Sequence, residues 1–168
     1  NELFAIWGKE GLKKFSDFGL EIFLDLKTLD VPNTVKKTVS SISSLKTVYY
    51  LTVHTIGGYE MLNAARQASS QLELLGVTVL TSQSASKDQV SLLASLAIKS
   101  KLDGVIASAQ EYVSIRSLSK DLKIFCPGIR GVKDIKHDQK RVMSYSEFCE
   151  ISKDDSKAFC VIGRPVYE

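Results

Sequence analysis

The sequence predicts an α/β protein, a (β/α)8 barrel of the TIM type, on three observations. Short apolar runs rich in β-branched and aromatic residues recur at 21–24, 48–53, 76–80, 104–107, 122–125 and 158–162. Most are apolar throughout rather than alternating, the pattern of parallel strands buried on both faces. The first four lie about 27 residues apart, with amphipathic stretches between them, which is the rhythm of repeated βα units. That alternation fits either an open doubly wound sheet or a barrel. The choice falls on the barrel because nearly every run ends in a polar or glycine-containing cluster. Such clusters at carboxyl strand ends converge on one mouth in a barrel, where enzymes of this architecture keep their chemistry.

The elements follow in order. Residues 1–18 read as a helix with no strand before it, and the first strand follows at 21–24. Pro32 opens a helix over 32–45, at a helical position that tolerates a missing N–H. The stretch 59–75 carries Met61, Leu62, Ala65, Ala68, Leu72 and Leu75 at helical spacing and is expected to be helical throughout. Residues 86–101 place Val90, Leu93, Leu96 and Ala97 on one side, and 144–152 supply a last short helix. A complete barrel usually needs about 250 residues and eight strands. Residues 1–168 provide six, so they are expected to form a single partial barrel domain. The first two strands and the closing helix are expected to belong to a longer product.

Composition narrows the function classes. Hydrophobic residues are 44% and charged residues 24%, as in ordinary globular domains. No run reaches the roughly 20 apolar residues of a membrane helix. A net charge of +3, with scattered lysines, is too small an excess to imply a nucleic-acid partner. The three cysteines (Cys126, Cys149 and Cys160) have no CxxC spacing and read as buried, reduced thiols of a cytoplasmic protein. No HxH or HExxH spacing supports a metal site.

The densest polar cluster is Asp25-Leu26-Lys27-Thr28-Leu29-Asp30, continuing to Thr34. Strand side chains alternate, so Asp25 and Lys27 share a face while Leu24 and Leu26 take the other. In a barrel the shared face is the interior at the mouth, where opposite charges are costly to bury unless paired. The plainer alternative is a strand-end salt bridge followed by an aspartate cap before Pro32.

Gly163-Arg164-Pro165 offers backbone N–H groups and a guanidinium fork suited to phosphate oxygens, at the place where barrels often hold one; the plainer alternative is a surface turn. Cys126-Pro127-Gly128-Ile129-Arg130 precedes a polar segment at 131–142, which reads either as a lid over an anionic ligand or as a solvated loop. Ser108-Ala109-Gln110-Glu111 either meets a heterocycle or caps the next helix. His54 before Gly57 and Gly58 is more simply a structural histidine than a general base.

Seven segments in order resemble the orotidine 5′-phosphate decarboxylases. They are Asp25 through Thr34, His54-Thr55-Ile56-Gly57-Gly58, Leu80-Thr81-Ser82, Ser108 through Glu111, Pro127 through Arg130, Asp138-Gln139-Lys140-Arg141 and Gly163-Arg164-Pro165. The resemblance implies a homodimeric barrel that converts orotidine 5′-phosphate to UMP, the last step of de novo pyrimidine nucleotide synthesis, with no metal or organic cofactor. It implies that Lys27 protonates C6 of the pyrimidine as carbon dioxide leaves, with Asp25 beside the substrate carboxylate. Asp30 and Thr34 are then expected to reach the neighbouring subunit's site. Arg130, Gln139, Gly163 and Arg164 grip the 5′-phosphate, Thr81 contacts substrate and Ser108 addresses the ring.

The family also ends its first strand in Asp and its second in Lys. Those segments would precede Asn1, so residues 1–168 by themselves are expected to be inactive and the full-length protein active. Two other readings compete: a magnesium-dependent sugar-phosphate synthase or decarboxylase sharing Asp-x-Lys-x-x-Asp, and a non-catalytic phosphate-ligand binding module.

Overall fold

The computed structural model describes residues 2–130 and 141–163. Helix α1 (Glu2–Ser16) bends at Gly8, whose φ of 53° and ψ of −147° lie outside helical values. Then come β1 (Ile22–Thr28), α2 (Pro32–Ser43), β2 (Val48–His54), α3 (Gly58–Ala68), β3 (Glu73–Val77), α4 (Lys87–Lys99) and β4 (Gly104–Ile106). The chain continues through α5 (Tyr112–Leu118), β5 (Lys123–Pro127), β6 (Ile129–Arg130), β7 (Met143–Ser144), α6 (Tyr145–Ile151) and β8 (Ala158–Val161). Single 3₁₀ turns at Thr55–Gly57 and Ala109–Glu111 lead into α3 and α5.

Six strands form one parallel sheet in the order β1-β2-β3-β4-β5-β8, as repeated βα units demand. The sheet curls. Phe23 on β1 meets Phe125 on β5 with ring centroids 5.7 Å apart, although three strands lie between them. In a flat sheet four inter-strand steps would separate them by about 19 Å. This is the wall of a barrel, with six strands among the described residues. Phe23, Tyr50, Phe125 and Phe159 fill its inside, the last two stacked at 4.5 Å. The outer face, with Leu51, Val53, Leu74 and Ile124 fully buried, packs against Val35, Val39, Leu62, Ala65, Ala97 and Ile115 of the helices.

Gly104 is required by close approach: a Cβ there would stand 2.6 Å from the Lys123 carbonyl oxygen. Across it the Lys123 ammonium pairs with Glu73 at 2.5 Å, at the amino ends of β3 and β5.

Three expectations need correction. The helix expected over 59–75 ends at Ala68, and residues 73–77 are strand. Ser69 turns the chain to extended angles (φ −156°, ψ 136°), and the Arg66 guanidinium holds that turn by donating to the carbonyls of Ser69 and Leu72. Leu72 and Leu75 kept the helical spacing only because both are core residues. The helix expected after Glu111 had no predicted bounds, because Ser114, Arg116 and Ser117 interrupt the apolar pattern of α5. Of the three free cysteines only Cys126 is buried, and Cys149 on α6 is exposed.

Candidate functional site

The mouth of the barrel begins with an irregularity in β1. Leu24 pairs with Leu51 and Thr28 with Val53, so four residue steps of β1 lie against two of β2. The slack is taken up at Lys27, whose φ of 53° is the left-handed region that side chains other than glycine rarely occupy. Its N–H donates to Thr52 Oγ1 at 2.8 Å instead of to a strand carbonyl, and the Thr52 hydroxyl donates to Asp25 Oδ1 at 2.8 Å. The remaining oxygen, Asp25 Oδ2, accepts from Lys27 Nζ in an ion pair with both side chains about one-third exposed. Leu26 faces the other way, toward Phe4, Thr34 and Ile42 under α1 and α2.

Asp25 and Lys27 line a pocket of about 200 Å³. Its opposite wall is apolar, built by Val77, Val79, Ile106, Pro127 and Val161 from the carboxyl ends of the successive strands, and Thr81 stands on its rim. The charged pair thus faces an apolar wall. In such surroundings an ion pair acts more strongly than in water. His54, at the end of β2, lies close enough to sense both charges. Burial first, and the Lys27 ammonium second, hold its pKa below 6.5, while Asp25 opposes them.

The rim is pinned from behind. Arg141 is 8% exposed and Glu111 6% exposed. They form an ion pair at 2.5 Å, and the same guanidinium donates to the carbonyls of Val79 (2.9 Å) and Leu80 (3.1 Å). The Arg141 N–H donates to the Thr81 carbonyl at 3.3 Å. Two of the family-like segments thus meet around the loop that carries Thr81.

The other expected site residues that the structure describes lie apart from the pocket lining. Asp30 is exposed, and its carboxylate accepts from the Val31 N–H at 2.6 Å. It does not cap α2, whose cap position is Val31 with no side-chain bond, so the capping alternative fails. Thr34 belongs to the outer groove with Leu26. Ser108 is buried beside the pocket residue Ala107, and its hydroxyl accepts from the Gln110 N–H at 3.3 Å, so it does cap the following 3₁₀ turn.

Arg130 lies on β6, paired in parallel with Ser144 of β7. Gly163 is exposed just beyond β8, with open space where a Cβ would stand. Gln139, Arg164 and residues 131–140 of the proposed lid lie outside the described residues. Among the described residues no group of three or more His, Cys, Asp or Glu is arranged to hold a metal ion, and no helix is long and apolar enough to cross a membrane.

A family model described as "Orotidine 5'-phosphate decarboxylase / HUMPS family" matches residues 1–168. The chain belongs to this family. Among curated relatives, the orotidine 5′-phosphate decarboxylase of Ehrlichia chaffeensis is 41% identical over 180 residues, covering 98% of this chain and 75% of that protein. The one from Idiomarina loihiensis is 40% identical over 181 residues, with 98% and 76% covered. Among solved structures, the orotidine 5′-phosphate decarboxylase of Thermotoga maritima matches with a TM-score of 0.76 at 29% identity, covering 97% of this chain and 75% of that one. These neighbours bear out the barrel expectation.

Thr52 was missed as a site residue. Strand alternation puts Tyr50, Thr52 and His54 on the inner face of β2, but does not single out Thr52 among them. A hydroxyl beside a Leu-Thr-Val run reads as an ordinary strand residue until its partner strand is known.

Proposed function

We propose that the protein carrying this chain decarboxylates orotidine 5′-phosphate to UMP, the last step of de novo pyrimidine nucleotide synthesis, in the cytoplasm and with no metal or organic cofactor. The observation that carries this reading is the Asp25–Lys27 ion pair on the charged side of a largely apolar strand-end pocket. The bond from C6 to the carboxylate carbon breaks, its electron pair stays on C6, and a proton passes from Lys27 Nζ to that carbon as carbon dioxide leaves. The carbanion is poorly delocalised, so the barrier is high. An ammonium already fixed by Asp25 stabilises the developing charge without reorganising at the moment of reaction.

Asp25 also faces the substrate carboxylate, and two like charges at one site disfavour the bound ground state. Phosphate contacts from Arg130, Gln139, Gly163 and Arg164 supply binding energy remote from the reacting carbon. Thr81 holds the substrate at the rim. Ser108, whose hydroxyl accepts from Gln110, has its own proton left to donate to the pyrimidine.

Asp30 and Thr34 act on the neighbouring subunit's site in a homodimer. In support, neither lines this chain's own pocket. Leu29 and Val31, the chain neighbours of Asp30, are exposed apolar side chains of the kind dimers cover.

The test follows the absorbance of orotidine 5′-phosphate with EDTA present. Turnover is the expected result. Turnover only after magnesium is restored indicates the sugar-phosphate chemistry, and tight UMP binding without carbon dioxide release indicates a binding module.

A further inference from the structure

We infer that Thr52 is the positioning residue of the Asp25–Lys27 pair, setting through one hydroxyl both the backbone of the lysine and the rotation of the carboxylate. The inference rests on the reading of that pair as the reacting pair. Thr52 is fully buried, in the middle of β2. Its Oγ1 accepts from the Lys27 N–H and donates to Asp25 Oδ1, both at 2.8 Å. Its donor and one acceptor site are thereby directed at the same two residues, which leaves little freedom in how the hydroxyl points.

The need for such a residue comes from the backbone. Lys27 has a φ of 53° between two irregular ladder positions, so regular strand pairing cannot hold it. A strained backbone of this kind persists only where surrounding contacts over-determine it. The Thr52 hydroxyl supplies the missing ladder acceptor. By fixing Asp25 Oδ1 it also leaves Oδ2 aimed at Lys27 Nζ. Threonine suits the task because its β-branch restricts χ1, so the oxygen has a defined place without help from other side chains. Thr52 touches neither the reacting carbon nor the proton donor's nitrogen, and acts only through its two partners.

Three variants of the protein carrying this chain test the inference. Thr52→Val keeps the shape and removes both hydrogen bonds, Thr52→Ser keeps the hydroxyl, and Thr52→Ala serves where valine prevents folding. Valine or alanine is expected to lower kcat on the order of 10- to 100-fold, with the Kd for UMP within about threefold of wild type. Serine restores kcat to within about fivefold, because the hydrogen bonds rather than the methyl carry the effect.

A wild-type kcat in the valine or alanine variant overturns the inference, as does a loss that serine fails to rescue. A readout independent of activity separates this from failure of the proposed reaction. Hydrogen exchange at the Lys27 amide is slow in wild type and Thr52→Ser and fast in Thr52→Val or Thr52→Ala. Equal exchange in all of them overturns the positioning role even if no form of the protein turns over orotidine 5′-phosphate.

Discussion

The guanidinium of Arg141 sits 2.5 Å from the Glu111 carboxylate, with side chains 10% and 8% exposed, and also holds the two carbonyls that precede Thr81. Removing one partner of a buried pair strands the other charge, which costs about 3–5 kcal/mol. Glu111→Ala is therefore expected to lower Tm by roughly 10 °C. It should also raise KM, because the rim carrying Thr81 loosens. Thermal unfolding by circular dichroism measures the first, and a shift below about 2 °C contradicts the assignment.

Lys27→Ala removes the proposed proton donor while leaving the residues proposed to grip the phosphate unchanged. Turnover is expected to fall by at least roughly 10³-fold, with UMP binding still measurable by calorimetry. Near-normal turnover removes Lys27 from the mechanism.

If Asp30 serves the neighbouring site, Lys27→Ala and Asp30→Ala subunits complement one another. Random exchange in equal mixture leaves about a quarter of the sites with both side chains intact, since half the dimers are hybrids with one complete site each. Activity in the mixture well above the sum of the parents is the expected result. No recovery under conditions of proven subunit exchange places Asp30 outside the reaction.

The pH dependence of His54 reports on Lys27. Its pKa in the folded protein lies below 6.5 because burial, then the lysine charge, disfavours the imidazolium. The unfolded chain therefore binds the proton more readily. The stability contributed by neutral His54 is present above pH 6.5 and is lost as pH falls through the folded value. NMR titration of the ring should give a midpoint below 6.5 in wild type and a higher one in Lys27→Ala. An unmoved midpoint in the variant means the two side chains do not interact.

Much of this was readable from residue order, and the failures have definite causes. Asp25 and Lys27 were assigned to one face by strand alternation, and both do line the pocket. Plain alternation is not what puts them there, however, since the ladder slips between Leu24 and Thr28 and Lys27 leaves the extended region. Spacing of leucines carried the third helix too far because Leu72 and Leu75 are buried in either conformation. Thr52 stayed invisible because its partners lie 25 and 27 residues away on another strand.

Residue order alone determined the alternation of strands and helices, the parallel sense of the sheet and the gathering of polar groups at strand ends. Those follow from periods of 2 and 3.6 residues and from which side chains tolerate burial, all local properties of the chain. Only the tertiary structure decided that one threonine hydroxyl would bind both members of the charged pair, and that Glu111 and Arg141, 30 residues apart, would meet behind the rim. Strand register and sheet curl come from packing among distant segments, so no local pattern contains them.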